Sequence, residues 1–350
     1  MSTDVIEVDG SAGGGSVVRV AVGLAAALGR SVRVVNIRGA RKNPGLKAQH
    51  LAGVRAVADL CDADLEGAEL HSRALTFVPG PDWTSSVTVE IPTAGSVGLA
   101  LQPLQIAALG ADRDVTVDVR GGGTIAKWAP PLPYLVHVTH RVLARWGQPL
   151  EVWTERHGFF PKGGARVRAR LGSPTTTSPL QLVDRGAPSR IEGISLASEA
   201  LREREVAERQ ARAAEDELRE SCPDLPVYVE ADYVDTASIG TGVVLWAPLE
   251  ASVLGVSALG KKGKLAEHVG GEAARNLINE IEAGASVDIY LADQLIPYLA
   301  LYGGTFRCRT STDHIETAIA VAERLSGVHV EQTPLDDGNL EVRCSGVGFP

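Results

Sequence analysis

The chain has no Cys-x-x-Cys pair and no Cys/His cluster; its cysteines, Cys61, Cys222, Cys308 and Cys344, lie scattered. That pattern argues against a zinc site and for thiols kept reduced, as in a cytosolic, cytoplasmic protein. Missing too is any uninterrupted apolar run approaching the ~18 residues a membrane helix needs. The opening MSTDVIEVDG has no basic-then-apolar signal pattern, so no membrane association is expected. Neither GK[ST] nor a Rossmann GxGxxG occurs, which removes the two commonest phosphate-binding fingerprints. Excess positive charge is absent as well: the net charge is −9, so nucleic acid would have to use a local basic groove on an acidic body.

What is present describes an ordinary folded protein. A length of 350 residues suggests two or three domains, and 44% hydrophobic with 22% charged residues suits a soluble globular chain. Glycine (38) and proline (19) imply many tight turns. A helix–glycine–strand pattern recurs: AALG at 26–29 before VRVVNIRG, AALG at 107–110 before VTVDVRG, VLARWG at 142–147 before LEVWTERHG, and a fainter AVAERLSG ending at Gly327. Such recurrence predicts a pseudo-symmetric α/β architecture built from similar modules. The stretch from about 180 to 275 breaks the pattern. Its charged helix over 200–220, with Leu201, Ala207, Ala211, Ala214 and Leu218 as a thin apolar stripe, and its flanking strands read as a small inserted α/β domain.

Three segments carry candidate chemistry. The turn DGSAGGGS joins a strand over 5–8 to a helix over 17–28, letting backbone amides approach an anion, with Arg19 one turn into the helix. In NIRGARKNPGLKAQH, Arg38, Arg41, Lys42 and Lys47 surround a turn and a helix start that holds Gln49 and His50, a donor set suited to a polyphosphate. In YLADQLIPYLALYGGTFRCRTSTDHIETA, Asp293 and Gln294 precede an apolar helix, and His314 follows it; a neutral imidazole can attack phosphorus, and a nearby carboxylate or amide can fix its tautomer. The loop RHGFFPKGG adds Arg156 and Lys162 beside a glycine turn.

The succession DG…GGGxxxR, NIR…R..PGLKAQHL, AGSVGLALQ, GGGT…WAPP, RHGFFPKGG, YLADQL and DH..TxIxVxE resembles RNA 3′-terminal phosphate cyclase over essentially the whole chain. The resemblance implies an α/β (α+β) body, residues 1–180 and 276–350, made of βαβαββ repeats. These are like the C-terminal domain of translation initiation factor three and, distantly, the enolpyruvyl transferases. It also implies a small inserted α/β domain at 181–275. It implies an ATP-dependent reaction with Mg²⁺ or Mn²⁺ in which a histidine takes AMP and passes it to an RNA 3′-phosphate, and the 2′-oxygen then closes a 2′,3′-cyclic phosphate and expels AMP. Carried over by motif, His314 would be the nucleophile, oriented by Asp293 and Gln294. Arg19, Arg41, Gln49, His50 and Gln102 would line the triphosphate site, and Tyr290 with Pro130 or Pro131 would sandwich adenine. The RNA end would lie near Arg38, Arg156 and Lys162.

The chain also departs from the family pattern. Its first motif usually reads DGxxGEGGGQ; here it is DGSAGGGS, two residues shorter, without the glutamate that helps hold the metal on ATP, and with Ser16 for glutamine. Ile125 and Pro133 stand where acidic residues are common, and the metal ligands are unassigned. Two alternatives stay open: a catalytically silent scaffold of ribosome assembly, a branch that lacks the histidine, and an adenylyltransferase acting on other terminal phosphates. The oligomeric state is not legible.

Overall fold

The computed structural model describes residues 5–176 and 178–349. It opens with β1 (Ile6–Asp9), α1 (Ser16–Leu28), β2 (Val32–Val35), α2 (Ala48–Leu60), β3 (Asp64–Glu66) and β4 (Leu75–Val78). Their sheet runs β1-β2-β4-β3, with β1 and β2 parallel and the other pairs antiparallel. There follow β5 (Ser86–Ser96), α3 (Val97–Ala107), β6 (Val115–Gly123), α4 (Leu132–Tyr134), α5 (His140–Trp146), β7 (Leu150–Arg156) and β8 (Arg166–Leu171). A π-helical stretch, Leu135–Thr139, joins α4 to α5. This second sheet runs β5-β6-β8-β7 with the same parallel and antiparallel pairings.

Next comes β9 (Leu180–Leu182), then β10 (Ile191–Ser198), α6 (Val206–Ser221), β11 (Val227–Val234), β12 (Thr241–Pro248), β13 (Val253–Leu259) and α7 (Ala266–Glu282). Strands β10 to β13 form a sheet of their own, ordered β11-β10-β12-β13. The chain ends with α8 (Ile289–Tyr302), β14 (Gly304–Cys308), α9 (Asp313–Ser326), β15 (Val330–Pro334) and β16 (Leu340–Cys344). These strands take β9 back into the sheet β15-β16-β14-β9. All four sheets hold one parallel and two antiparallel pairs, but three share the order first, second, fourth, third strand, and the fourth, ordered differently, lies within the long excursion between β9 and α8. Residue 181 falls inside β9 and residue 275 inside α7, so the boundaries read from sequence cut across two elements. The expected helix over 200–220 is a 3₁₀ turn at Glu199–Arg204 followed by α6, because Glu205 adopts a left-handed backbone (φ 47°) between them.

Helix α1 shows why the body holds together. Its sequence SVVRVAVGLAAAL is apolar on nearly every side, the pattern of a helix enclosed by others, and every residue from Ser16 to Ala27 is buried. Gly23 permits the close approach of α3: a Cβ there would lie 2.8 Å from Ile106 Cβ and 2.9 Å from the Pro103 carbonyl oxygen. Gly29 then ends α1 in the left-handed region (φ 62°), and Gly327 does the same for α9 (φ 80°). Cys61, Cys308 and Cys344 are buried and Cys222 is half-buried, all as free thiols. Among the described residues no helix is long and apolar enough to cross a membrane.

Candidate active site

Arg19 is the one charged residue in the first half of an otherwise apolar buried helix, and its partners define the site. It is 6% exposed, and its Nε donates to Gln102 Oε1 on α3 at 2.7 Å. Burial lowers its pKa to about 10, against the pull of Asp293 on α8, so it stays charged at neutral pH. Asp293 is in turn pushed up to about 7 by burial, with Arg19 acting to lower it.

The glycine turn before α1 is packed from two sides. A Cβ on Gly15 would come within 2.7 Å of three His50 ring atoms, and one on Gly13 would lie 2.9 Å from Thr317 Cγ2 on α9. Arg41 Nη2 would be 3.4 Å from a Cβ on Gly14. His50 is 5% exposed; its Nδ1 accepts from the Lys47 amide at 3.4 Å in the first turn of α2. Burial, then Arg19, Arg38 and Lys47, depress its pKa to about 3, so the ring is neutral. Gln49 Oε1 accepts from the Ser96 amide (3.2 Å), and the Ser96 hydroxyl caps α3 by accepting from the Leu99 amide.

His314 sits in the first turn of α9, which Thr312 caps by accepting from the Ile315 amide. Although the side chain is exposed, partial loss of solvent, then the charges of Arg19 and Arg41, hold its pKa below the ordinary imidazole value, with Asp313 opposing. The sequence-predicted residues therefore gather in the opening two turns of five helices: Arg19 on α1, Gln49 and His50 on α2, Gln102 on α3, Tyr290 and Asp293 on α8, and His314 on α9. Each helix start also has the positive end of its dipole, with Ser96, Asp288 and Thr312 capping three of them, a setting that suits an anion without a P-loop.

Tyr290 and the prolines meet through a residue the sequence reading missed. Tyr134, three residues beyond Pro131, lies edge-on to Tyr290 at 6.1 Å. Its hydroxyl donates to Asp288 Oδ1 at 2.7 Å. Asp288 is fully buried and caps α8, with Oδ1 also accepting from the Tyr290 and Leu291 amides and Oδ2 from the Gly255 amide of β13. Burial raises its carboxyl to about 6 despite these donors. An aspartate just ahead of the apolar run at Ile289 is a legible N-cap signal. Pro130 faces the start of α3, its carbonyl oxygen 3.6 Å from where a Gly98 Cβ would be.

Several candidate residues are engaged elsewhere. Gln294 Oε1 accepts from Thr139 (3.1 Å) and its Nε2 donates to the Tyr290 carbonyl (2.6 Å), fastening α8 to the π-helical stretch. No hydrogen bond joins Asp293 to His314 among the described residues. Arg38, held at φ 54°, spends Nη1 on the Asn43 and Gly45 carbonyls and so fixes the loop that carries Arg41. Arg156 lies apart, in a cleft of about 720 Å³ with His157, Arg166, Asp232 and Tyr233. The Lys162 amide donates to Ser238 Oγ (3.0 Å), which docks its loop on the β10–β13 sheet. As for a metal, no group of three or more His, Cys, Asp or Glu residues able to hold one occurs among the described residues, so the side chains present do not build a protein metal centre.

Comparison with known proteins adds the following. Residues 11–332 match the family model described as RNA 3′-terminal phosphate cyclase. An RNA 3′-terminal phosphate cyclase of Hyperthermus butylicus is 42% identical over 308 residues, covering 86% of this chain and 85% of that protein. One of Methanopyrus kandleri is 40% identical over 336 residues (93% and 95%), and one of Halobacterium salinarum 40% over 342 residues (94% and 97%).

Proposed function

The chain belongs to the RNA 3′-terminal phosphate cyclase family, and on that premise we propose that the cleft around His314 uses ATP to convert an RNA 3′-phosphate into a 2′,3′-cyclic phosphate. Neutral His314 attacks the α-phosphorus of ATP; the bond to pyrophosphate breaks and a histidine–AMP phosphoramidate forms. The terminal phosphate of RNA then displaces the imidazole and takes the AMP. Attack of the vicinal 2′-oxygen on the activated phosphorus expels AMP and closes the ring. Net, one ATP gives AMP and pyrophosphate for each end cyclised.

The observation that carries this reading is the setting of His314: a lowered pKa at a helix start, beside Arg19 and Arg41. The two guanidinium groups and the helix starts would stabilise charge moving onto pyrophosphate. Tyr290, 44% exposed, offers a ring face for adenine beside the Pro130–Pro131 segment, while Tyr134 packs edge-on against its ring and Asp288 accepts from its amide. On the same reading, the three like-ordered sheets are repeats of one βαβαββ unit, residues 181–275 are an insert, and the protein works in the cytoplasm. A divalent cation, Mg²⁺ or Mn²⁺, would arrive with the ATP phosphates, as such ions commonly do.

The test is incubation with α-labelled ATP, with Mg²⁺ or Mn²⁺ supplied. Acid-labile label on the protein, absent from His314→Ala and released as AMP when a 3′-phosphorylated oligoribonucleotide becomes cyclic-ended, is the expected result. A folded protein that takes up no label with either metal would refute the chemistry and favour a silent scaffold.

A further inference from the structure

The chain uses lysine at only a few positions: 42, 47, 127, 162, 261, 262 and 264. Lys42 and Lys47 flank the Arg41 loop. The rest, though far apart in sequence, fall around the junction between the RHGFFPKGG loop and the β10–β13 sheet. Lys264 is tied to Glu272. Lys127, Lys162, Lys261 and Lys262 are exposed and have no carboxylate partner among the described residues. By contrast, Arg120, Arg168 and Arg170 on the neighbouring β6 and β8 are each paired with an acidic residue.

The same junction carries the three most exposed large apolar side chains described, level with Tyr228: Trp128 (87%), Phe160 (75%) and Ile239 (66%). Backbone contacts assemble the patch. Ile125 bridges Phe159 in parallel, so the segments bearing Lys127–Trp128 and Phe160–Lys162 leave that bridge side by side. The Lys162 amide binds Ser238, the neighbour of Ile239, and Gly240 seats against the Phe159 ring. The Gly260 amide donates to the Thr241 carbonyl at 2.9 Å, which sets Lys261 and Lys262 off the same edge. Trp128 holds a left-handed backbone (φ 62°), a region costly for a bulky residue, and no burial offsets that cost. It lies two residues before Pro130, at the mouth of the nucleotide cleft.

We propose that this surface is the docking track for single-stranded RNA, running from the mouth of the cleft across the junction to the β10–β13 sheet. Bases stack on Trp128 and Phe160, and phosphates meet Lys127, Lys162, Lys261 and Lys262. Cations without carboxylate partners interleaved with exposed rings, Lys127 itself lying over the Trp128 ring at 4.3 Å, are what sequence-independent single-strand binding needs, because every base has a face to stack and every nucleotide a phosphate. On a chain of net charge −9, an uncompensated lysine cluster also directs a polyanion to one place. The assignment rests on the reading of the cleft as a cyclase site.

The test uses the full chain with Phe160→Ala and, separately, with Lys261→Ser and Lys262→Ser together. Anisotropy of a fluorescently labelled single-stranded oligoribonucleotide reads binding without any chemistry at His314. Affinity is expected to fall about tenfold for the loss of one stack, and the lysine variant should show a shallower salt dependence. Adenylylation by ATP alone should match wild type in both. The KM should rise for a long 3′-phosphorylated oligoribonucleotide and stay constant for a 3′-phosphorylated dinucleotide. Unchanged affinity in both variants overturns the track, as does a wild-type chain that binds no single-stranded RNA, in which case the patch faces a protein. Wild-type binding that these variants weaken, in a chain that takes up no AMP, upholds the track and sinks the chemistry instead.

Discussion

Gly15→Ala isolates the packing that builds the triphosphate end of the cleft. Gly15 has φ −71° and ψ −11°, a helical conformation that alanine adopts without strain. Backbone freedom alone would therefore make the substitution stabilising, by roughly 0.4–1 kcal/mol through the unfolded state. The obstacle is His50: three ring atoms would lie within 2.7 Å of the new Cβ, and the ring is 5% exposed, with the first turn of α2 around it. Overpacking of this kind costs about 1–3 kcal/mol, so a net loss of about 1–2 kcal/mol is expected. Gly14→Ala is the control, since its Cβ meets only the end of the Arg41 side chain at 3.4 Å, and it should be near neutral. In a His50→Ala background the clash is gone, and Gly15→Ala should be neutral or mildly stabilising. A double-mutant cycle followed by urea unfolding should thus give a coupling of roughly 1.5–3 kcal/mol between the two sites. Equal effects of Gly15→Ala and Gly14→Ala, or no coupling to His50, would show that the histidine does not brace the glycine turn.

Arg41→Ala removes one of the charges that keep His314 neutral, so its pKa should rise and the acid limb of the adenylylation pH profile should move up, with a larger loss of rate at pH 6 than at pH 8; an unmoved limb would detach Arg41 from the nucleophile. Glu280, 4% exposed and paired among the described residues only with Arg309, has its carboxyl raised to about 7 by burial and Asp288. A carboxyl whose folded pKa exceeds its unfolded value holds its proton more tightly when folded, so stability falls as pH climbs from about 4.5 to 7. Glu280→Gln should flatten that fall, read as the difference in Tm between pH 5 and pH 8, and an identical slope in the variant would exclude the carboxyl as its source. Asp288→Ala strips the acceptor from four donors, three of them buried, and should cost about 3 kcal/mol or more; denaturant unfolding indistinguishable from wild type would contradict the bonding of that carboxylate.

The sequence was most readable where a pattern is local. Alternation and glycine caps foretold α1, α9 and their following strands, because period and cap chemistry need no knowledge of partners. The polar residues of the cleft could be nominated in the same way, since Arg19, Gln49, His50 and His314 all follow a turn into a helix start. What the sequence hid is the third dimension of each side chain. Arg38 and Gln294 belong to polar motifs beside the cleft, yet Arg38 is engaged by the Asn43 and Gly45 carbonyls of its own loop, and Gln294 by the Tyr290 carbonyl one turn back and by the Thr139 hydroxyl, which lies near only after folding. Tyr134 and Asp288 are 154 residues apart, and nothing local links them. The limits of the excursion after β9 were blurred for a related reason: α7 is one continuous helix packed under the β10–β13 sheet, so residue 275 carries no composition change to mark an edge.

The cleft also shows how an acidic chain can present an electropositive point without a basic surface. Arg19 stays charged inside the protein, its Nε donating to Gln102 and its charge supported by Asp293, whose own carboxyl burial raises to about 7. The helix starts add fixed partial charge, reduced at α8 by the Asp288 carboxylate that caps it. On the proposed chemistry that one field does two tasks of the same sign. It disfavours a proton on His314, keeping the attacking imidazole neutral, and it favours negative charge arriving on the leaving pyrophosphate. Weakening the field at Arg41 should therefore lower the rate above the His314 pKa as well as shift the acid limb. A variant that shifted the limb yet regained the full wild-type rate at high pH would break that link, leaving Arg41 a role in the protonation of His314 and none in stabilising the departing group.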